Sequence, residues 1–192
     1  PVLSTTSPLS DPSAMIQRLS SSSSTEDTST GPGLVTCVSG AAIQAAIDDA
    51  GSTELIPVCA GTHEVKLVIR RAVILESEDP EDPAILDGGN LDPVITVPEY
   101  RTVVLRNLVI TNGNGGSTRA GGVDGPASDA ITIDGCTIRQ NSGLIGGVQG
   151  SYGAPLDILD SQIMDNEGDL GGGISIGQGS LTRVDVSGNH AT

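Results

Sequence analysis

The side chains able to do chemistry in this chain are its carboxylates, two histidines and three cysteines. An enzyme that cleaves polysaccharide needs two or three carboxylates in one groove, one to protonate the leaving oxygen and another to activate water or attack carbon. The carboxylates that could serve lie on different predicted strands and turns, namely Asp157, Asp165, Asp169 and Asp185. No catalytic set can be assembled from them, so the sequence favours a protein without enzymatic activity.

The histidines and the glycine-rich tracts give no second kind of active site. His63 follows Ala-Gly-Thr and is interpreted as a packing residue rather than a general base, and His190 is expected to be exposed. The glycine tracts at 113–116 and 171–173 lack the lysine and the following helix that a phosphate-binding loop requires. Residues 121–129 are acidic but do not match the calcium-binding nonapeptide, so we expect no cofactor, with a weakly bound calcium ion as the alternative.

The cysteines give information about the cellular compartment of the protein. Cys37 and Cys59 bracket a predicted helix and could form a disulfide, which would suit an oxidising environment. The alternative is that both are unpaired thiols. The chain starts at Pro1 without the basic and apolar segments of a secretion signal, so an extracellular location, secreted or at the cell surface, is inferred indirectly.

A repeat with a period in the twenties organises the second half of the chain. Two short signatures recur at similar steps: Gly-Gly-Val or Gly-Gly-Ile at 121–123, 146–148 and 172–174, and the asparagines Asn141, Asn166 and Asn189. Predicted strands align with the same period, at residues 103–110, 131–138, 156–163 and 179–186. Strands and glycine turns with no helix inside the repeat exclude helical repeat arrays and predict a β-solenoid.

The predicted fold is all-β, a right-handed parallel β-helix of about five to six rungs with a short N-terminal capping helix. The helix is predicted over 40–51, with Ser39 as N-cap and Gly51 as the stop after its end. The domain organisation has three parts: a Ser/Thr-rich flexible tail or linker at 1–33, an N-terminal cap at 34–53 and the β-helix at 54–192. The last rung is expected to be incomplete, which favours a fragment of a longer solenoid over an end that docks on a neighbouring chain.

Stacked rungs place equivalent residues in columns, with neighbours about 4.8 Å apart. Arg106 then lies over Asp134 and Asp160 over Arg183, and we interpret both pairs as surface ion pairs rather than as a catalytic carboxylate beside an arginine. The three repeated asparagines are expected to form a structural ladder that bonds to backbone groups of the rungs above and below. Cys136 falls in an interior column as a small apolar side chain.

Charge and composition limit the partners. The chain has 24 acidic and 9 basic residues, and its net charge of -15 repels nucleic acid and anionic membrane surfaces. No apolar run has the length of about 18 residues that spans a membrane. The core must be aliphatic, because the chain has no Phe or Trp and its only aromatic residues are Tyr100 and Tyr152.

Residues 35–192 resemble the pectin-lyase-like superfamily of right-handed β-helices. The resemblance rests on Ala-Ile-Gln-Ala-Ala-Ile at 42–47, which is similar to the family's capping helix, and on the strand sequence at 84–89. The later repeats, Ile-x-x-Asn at 138–141 and 163–166, resemble polymorphic outer membrane protein repeats, which occur on bacterial surface adhesins. The triplets typical of polygalacturonases, Asn-Thr-Asp, Gly-His-Gly and Arg-Ile-Lys, are absent.

These observations favour a non-enzymatic, secreted or cell-surface β-helix protein that acts as a structural stalk or adhesin-like binding scaffold. The expected partners are a surface polysaccharide or protein ligand, or other copies of the chain end to end, without nucleic acid or direct membrane insertion. Two alternatives stay open: a fragment of a polysaccharide-active lyase or hydrolase, and a filament subunit that assembles head to tail.

Overall fold

The computed structural model describes residues 37–98 and 100–192, and the predicted tail at 1–33 lies outside the described residues. The described residues contain one helix, α1 (Ala41–Asp49), and twenty short strands. Strands of successive coils pair side by side in parallel and form four sheets, so the predicted parallel β-solenoid is confirmed. The chain makes five full coils and part of a sixth.

The first two sheets each contain six strands and run the whole length of the coil. Sheet I contains β1 (Glu54–Val58), β4 (Val73–Ser77), β7 (Thr102–Arg106), β10 (Ala130–Asp134), β14 (Pro155–Leu159) and β18 (Gln178–Thr182). Sheet II contains β2 (Thr62–Glu64), β5 (Ile85–Asp87), β8 (Val109–Thr111), β11 (Thr137–Arg139), β15 (Gln162–Met164) and β19 (Asp185–Ser187).

The other two sheets close the coil. Sheet III contains β12 (Ser142–Ile145), β16 (Glu167–Gly171) and β20 (His190–Ala191), and it is extended towards the earlier rung by the isolated bridges of Asn114 and Ala120. Sheet IV contains β3 (Leu67–Val68), β6 (Ile95–Thr96), β9 (Val123–Asp124), β13 (Val148–Gln149) and β17 (Ile174–Ser175). A full rung therefore visits sheets I, II, III and IV in that order.

The alignment predicted for the later strands is the register found in the structure. In sheet I, Ile131 pairs with Val103 on one side and with Leu156 on the other, and Leu156 pairs with Gly179. Alternate residues of each strand point inward, so they stack into aliphatic columns such as Leu105, Ile133 and Ile158, all fully buried. The core contains no aromatic side chain among the described residues.

Gly-Gly pairs recur because the backbones of successive rungs approach closely at the corner before sheet IV. A Cβ atom on Gly122 would lie 2.6 Å from the carbonyl oxygen of Gly147, and one on Gly147 would lie 2.4 Å from the carbonyl oxygen of Gly173. A larger residue at these positions would push neighbouring rungs apart and break the parallel pairing of β9, β13 and β17. The repeat that revealed the fold is thus a packing requirement.

Two further corners hold the backbone in the left-handed region at equivalent positions of successive rungs. Between sheets I and II these positions are Asn107, Gly135, Asp160 and Arg183, with φ of 52, 64, 48 and 54°. After sheet II they are Asn112, Gln140, Asp165 and Gly188, with φ of 54, 56, 53 and 64°. Asn, Asp and Gly tolerate this conformation better than other residues, so Asp165, a candidate carboxylate, occupies a turn position.

Helix α1 covers the N-terminal end of the coil, with Ile43 and Ile47 fully buried against it. The amide of Gln44 takes the place of a missing strand, since its Oε1 accepts from Val68 N–H at 2.8 Å and its Nε2 donates to Val68 C=O at 3.1 Å. Val38 bridges to Val58 and covers part of sheet I. These contacts satisfy backbone groups that an open sheet edge would expose.

The predicted N-cap of this helix was wrong. Gly40, not Ser39, is the N-cap residue, and no side chain bonds to the first turn. Gly40 adopts φ 54°, which a serine would reach only with strain, and its N–H donates to His63 Nδ1 at 3.3 Å. At the other end the helix stops at Asp49 with Ala50 as C-cap, so Gly51 follows it as predicted.

Candidate functional site

The repeated asparagines lie in one column inside the coil, at the corner between sheets II and III. Asn141 and Asn166 are almost fully buried. Each side-chain oxygen accepts from the equivalent backbone N–H of the preceding rung, which is Gly113 for Asn141, Asn141 for Asn166 and Asn166 for Asn189, at 2.8–3.1 Å. Each Nδ2 donates to a carbonyl of that rung, and those of Asn141 and Asn166 also bond to the next asparagine. This hydrogen-bonded column is structural and offers no free group to a ligand.

The predicted disulfide is present. Cys37 and Cys59 are bonded, with 4.9 Å between their Cα atoms, and the bridge ties the segment before α1 to the end of β1. His63 lies in the same region and is buried; its Nε2 contacts the Cys59 carbonyl at 2.8 Å while its Nδ1 accepts from Gly40. Both ring nitrogens are occupied by backbone contacts, which supports packing rather than acid–base chemistry. His190 is exposed on β20.

The candidate carboxylates stay apart. Asp157 lies on sheet I, where its carboxylate accepts from Ser180 Oγ at 2.6 Å. Asp185 lies on sheet II and Asp169 on sheet III, both exposed, and Asp165 lies at a left-handed corner. The structure therefore does not bring these four carboxylates into one groove.

The charged columns form ion pairs along the outside of the coil. Asp160 and Arg183 pair through two contacts, the second at 2.6 Å, and this neighbouring guanidinium lowers the pKa of the Asp160 carboxyl. Arg106 lies beside Asp134 in the register, but its guanidinium pairs with Glu76 of the preceding rung at 3.6 Å.

One further carboxylate lies between two cations on the outside of the coil. Asp92 pairs with Lys66 at 3.1 Å and with Arg119 at 3.0 Å. Hydrogen bonds from both cations lower the pKa of the Asp92 carboxyl. The three residues come from three successive rungs, so this triad fastens neighbouring coils together.

The acidic segment at 121–129 does not form a cation cage. Asp124 is buried and accepts from the N–H of Ala120 at 3.1 Å, whereas Asp129 is exposed. Within residues 37–98 and 100–192, ligand atoms of His, Cys, Asp and Glu gather closely in one group, Cys37, Cys59 and Glu78. The two cysteines of that group are bonded to each other, so their sulfur atoms are not thiolate ligands.

Sequence reasoning missed one surface, the edge formed by the connections from sheet IV to sheet I, which we call the IV–I corner. Its described segments are residues 69–72, 97–98, 100–101, 125–129, 150–154 and 176–177. Tyr100 and Tyr152, the two aromatic residues of the chain, both lie in it, and they are 71% and 82% exposed. They belong to connections two rungs apart, which corresponds to about 10 Å along the coil.

Three arginines lie in the first connections of the same corner. Gly51, Ser52, Arg70, Arg71, Ala72 and Arg101 line an open cavity of about 610 Å³. The Arg101 guanidinium is held by backbone carbonyls, with Nε donating to Arg70 C=O at 2.8 Å and Nη1 to Tyr100 C=O at 2.6 Å. No acidic side chain lines this cavity among the described residues.

The sheets, the asparagine column and the capped first rung define the chain as a parallel β-solenoid protein. No protein-family model, no curated protein and no solved structure matches it. Within the described part of the chain, no helix has the length and apolar character needed to cross a bilayer.

Proposed function

We propose that this protein is a non-enzymatic extracellular scaffold, stalk-like or adhesin-like, that binds a surface polysaccharide through the IV–I corner. The observation that carries the proposal is the position of Tyr100 and Tyr152. In an aliphatic protein without Phe or Trp, both aromatic side chains are directed to solvent on the same edge of a rigid coil. Exposed tyrosines are enriched in binding surfaces because they add contact area at a small entropic cost.

The spacing of the tyrosines fits an extended ligand. Tyr152 lies one residue before the position that the register makes equivalent to Tyr100 two rungs earlier, which corresponds to about 10 Å along the coil axis. A glycan chain laid along the corner could place one sugar ring against each phenol ring, with the hydroxyl groups free to hydrogen bond. The net charge of -15 disfavours a densely anionic polymer, so the favoured ligand is neutral or weakly charged.

The environment of the perturbed carboxylates supports a role without catalysis. Within residues 37–98 and 100–192, the pKa is lowered for the carboxyls of Asp92 and Asp160, and both belong to ion pairs between rungs. Burial raises the pKa of Asp124, but its oxygen is engaged by a backbone N–H. These contacts stabilise the coil, and none of these three carboxylates lies in the described segments of the IV–I corner.

Two further features support the extracellular assignment. A disulfide is stable in oxidising compartments and rare in the cytosol. The resemblance to the pectin-lyase-like superfamily and to polymorphic outer membrane protein repeats supports an adhesin-like role, because the Ile-x-x-Asn sequence of those repeats coincides with the asparagine column at Asn141 and Asn166.

The intrinsic fluorescence of the two tyrosines can be used to test glycan binding. Since the chain has no Trp, its tyrosine emission reports directly on the IV–I corner. Titration with neutral oligosaccharides is expected to change this emission in a saturable way, and uronic-acid oligosaccharides are expected to bind more weakly because of the net charge. Replacement of either Tyr100 or Tyr152 by Ala should weaken binding by about tenfold, while Phe should retain most of it.

Leu91→Ala, at an exposed position outside the corner, provides the matched control. Unchanged emission with the whole oligosaccharide panel would overturn the proposed glycan binding. Release of reducing sugar or unsaturated uronate would instead favour the enzyme alternative. Growth of the sedimenting species with protein concentration would favour the filament alternative.

A further inference from the structure

The disulfide lies beside a carboxylate that belongs to the next rung. The sulfur atoms of Cys37 and Cys59 and a carboxylate oxygen of Glu78 all lie within 4.8 Å of one another. Val58 pairs with Ser77 in sheet I, so Glu78 is the equivalent of Cys59 in the next rung. Glu78 belongs to none of the ion pairs found among the described residues. The group therefore combines two sulfur atoms with one carboxylate that no side-chain cation neutralises.

Backbone hydrogen bonds hold the two cysteines side by side without the help of the bridge. The N–H of Val38 donates to the Pro57 carbonyl at 2.8 Å, and the N–H of Cys59 donates to the Val38 carbonyl at 3.0 Å. His63 adds a second link, because its Nδ1 accepts from the N–H of Gly40 and its Nε2 contacts the Cys59 carbonyl. Opening the disulfide would therefore release two thiols that stay next to each other.

Glu78 is fixed in the same way and is open to solvent. Its N–H donates to the Val58 carbonyl at 2.8 Å, which holds its backbone beside Cys59. Its side chain is exposed and both cysteines are half-buried, so an ion can reach the group from outside. Two exposed carboxylates of the loop that follows, Asp79 and Glu81, make the local potential attractive to cations.

We propose that Cys37, Cys59 and Glu78 bind a zinc-like divalent metal ion when the disulfide is reduced. Exchange with a small thiol reductant transfers two electrons to the bridge: the reductant becomes a disulfide, and each cysteine takes up one proton. Metal binding then releases both thiol protons to solvent, and the two thiolates and the carboxylate coordinate the ion.

The chemistry of the donors selects the kind of ion. Thiolates favour zinc over magnesium and calcium, and zinc accepts two sulfur atoms, a carboxylate oxygen and a water molecule in a tetrahedral set. The sulfur atoms of such a site lie about 3.8 Å apart, so the two cysteines need to separate by only about 2 Å after reduction. The same end of the coil would then be fastened by a disulfide in oxidising surroundings and by a metal ion in reducing ones.

The experiment uses the full chain after reduction with a thiol and anaerobic removal of that reductant. Circular dichroism checks that the sheet signal is kept, and zinc chloride is then titrated in competition with a chromophoric chelator. One zinc ion per chain is expected, and the oxidised protein should bind at least about a hundredfold more weakly. Cobalt(II), titrated in parallel, should give the thiolate-to-metal absorption that identifies sulfur ligands. Zinc should also raise the Tm of the reduced protein.

Glu78→Gln should weaken zinc binding by about tenfold, because it removes a charged ligand. Glu81→Gln, an exposed change in the same loop, is the matched control and should leave the affinity unchanged. The variant Cys37→Ser/Cys59→Ser, which keeps the buried thiol of Cys136, should lose the binding.

Three results would overturn the site. Absence of zinc binding by the reduced protein is the first, and equal affinity in the reduced and oxidised proteins is the second, since it would indicate surface carboxylates alone. The third is equal affinity in Glu78→Gln and Glu81→Gln. Loss of the sheet signal on reduction would also contradict the proposal, because the thiols would no longer be held together. Cys37, Cys59 and Glu78 lie outside the IV–I corner, so failure of the glycan titration would affect only the proposed function.

Discussion

Asn166 shows how one side chain can link three rungs of the coil. Its Oδ1 accepts from the backbone and side chain of Asn141, its Nδ2 donates to the Ile138 carbonyl, and both its backbone N–H and its Nδ2 contact Asn189 Oδ1. A buried amide with this many partners is favourable only while all of them are present.

Replacement of Asn166 by Ala should therefore lower the free energy of unfolding by about 1–3 kcal/mol, because it leaves buried backbone groups unpaired. Urea denaturation followed by circular dichroism measures the change. Gln162→Ala, at an exposed position of the same rung, should have little effect. Equal midpoints for Asn166→Ala and the unsubstituted protein would contradict the structural role of the column.

Cys136 provides a second prediction at the level of single residues. Its side chain is buried in the core, as its place in the repeat predicts, and burial raises the pKa of the thiol to about 12. A thiol reagent should leave the folded protein unlabelled and should label one site in denaturant, because the thiolate is the reactive form. Rapid labelling under native conditions would show that the core opens at this position.

The asparagines could be predicted from the sequence because they recur with the strands. Their first partner could not, since the equivalent residue in the preceding rung is Gly113, whose contribution is a backbone N–H. A Cβ atom at Gly113 would collide with the Gly121 carbonyl, so close packing of backbone, invisible in a residue pattern, decides that position.

At the level of elements, one side chain of α1, that of Gln44, covers the backbone at the edge of the first rung. The Gln44 amide satisfies both backbone groups of Val68, the last residue of the edge strand β3. Gln44→Ala should destabilise the protein by about 1–3 kcal/mol and should speed hydrogen exchange of the Val68 amide. Asp49→Ala, on the exposed side of the same helix, is the control. Unchanged protection of Val68 would show that the helix covers the edge by other contacts.

The disulfide acts on the same end of the coil. Cys37 and Cys59 are 22 residues apart, so loss of the bridge should lower stability by about 3 kcal/mol through the entropy of the unfolded chain. Urea denaturation of the Cys37→Ser/Cys59→Ser variant measures this. Added reductant should bring the unsubstituted protein to the same midpoint and leave the variant unaffected. If the variant and the oxidised protein unfold together, the bridge is not a source of stability.

The elements differ in how well the sequence predicts them. The later strands recur at steps of 25 and 23 residues, from Ile131 to Leu156 to Gly179, so their alignment predicts the observed register. The earlier steps differ, with 19 residues from Glu54 to Val73 and 30 from Val73 to Val103. Because the segments between these strands have unequal lengths, the sequence does not predict their register.

The IV–I corner was missed for this reason. Arg71 and Arg101 become neighbours only through the 30-residue step from Val73 to Val103. Tyr100 and Tyr152 lie in connections whose sequences do not resemble each other. Repeats predict what the strands share, whereas a binding surface built from the connections has no repeated pattern by which to find it.

At the level of the whole molecule, Asp124 gives a pH dependence opposite in sign to that of the ion-paired carboxylates. Burial raises its pKa above the unfolded value of about 3.9, so the folded state holds this proton more tightly. The resulting stability is complete below the unfolded pKa and is lost as the pH rises through the folded value. The lowered pKa values of Asp92 and Asp160 act in reverse, losing stability as the pH falls.

Asp124→Asn keeps an oxygen that can accept from Ala120 and removes the charge. Relative to the unsubstituted protein, this variant should be more stable at pH 7 than at pH 3, because only at the higher pH does the aspartate lose stability by ionising. Urea midpoints at the two pH values measure the difference. Asp129→Asn, an exposed change in the same segment, should show no such trend, and an equal offset at both pH values for Asp124→Asn would contradict the assigned cause.

The unequal lengths of the rungs show that this fold accepts insertions between its strands. Strands of sheet I stay in register although the step from one strand to the next varies from 19 to 30 residues, so the paired strands tolerate extra residues in the segments between them. Evolution, or an engineer, can lengthen a connection and leave the strands paired. A peptide grafted at Gly153, on an exposed turn, would be displayed on a rigid support, and new specificities could be introduced there without redesign of the core.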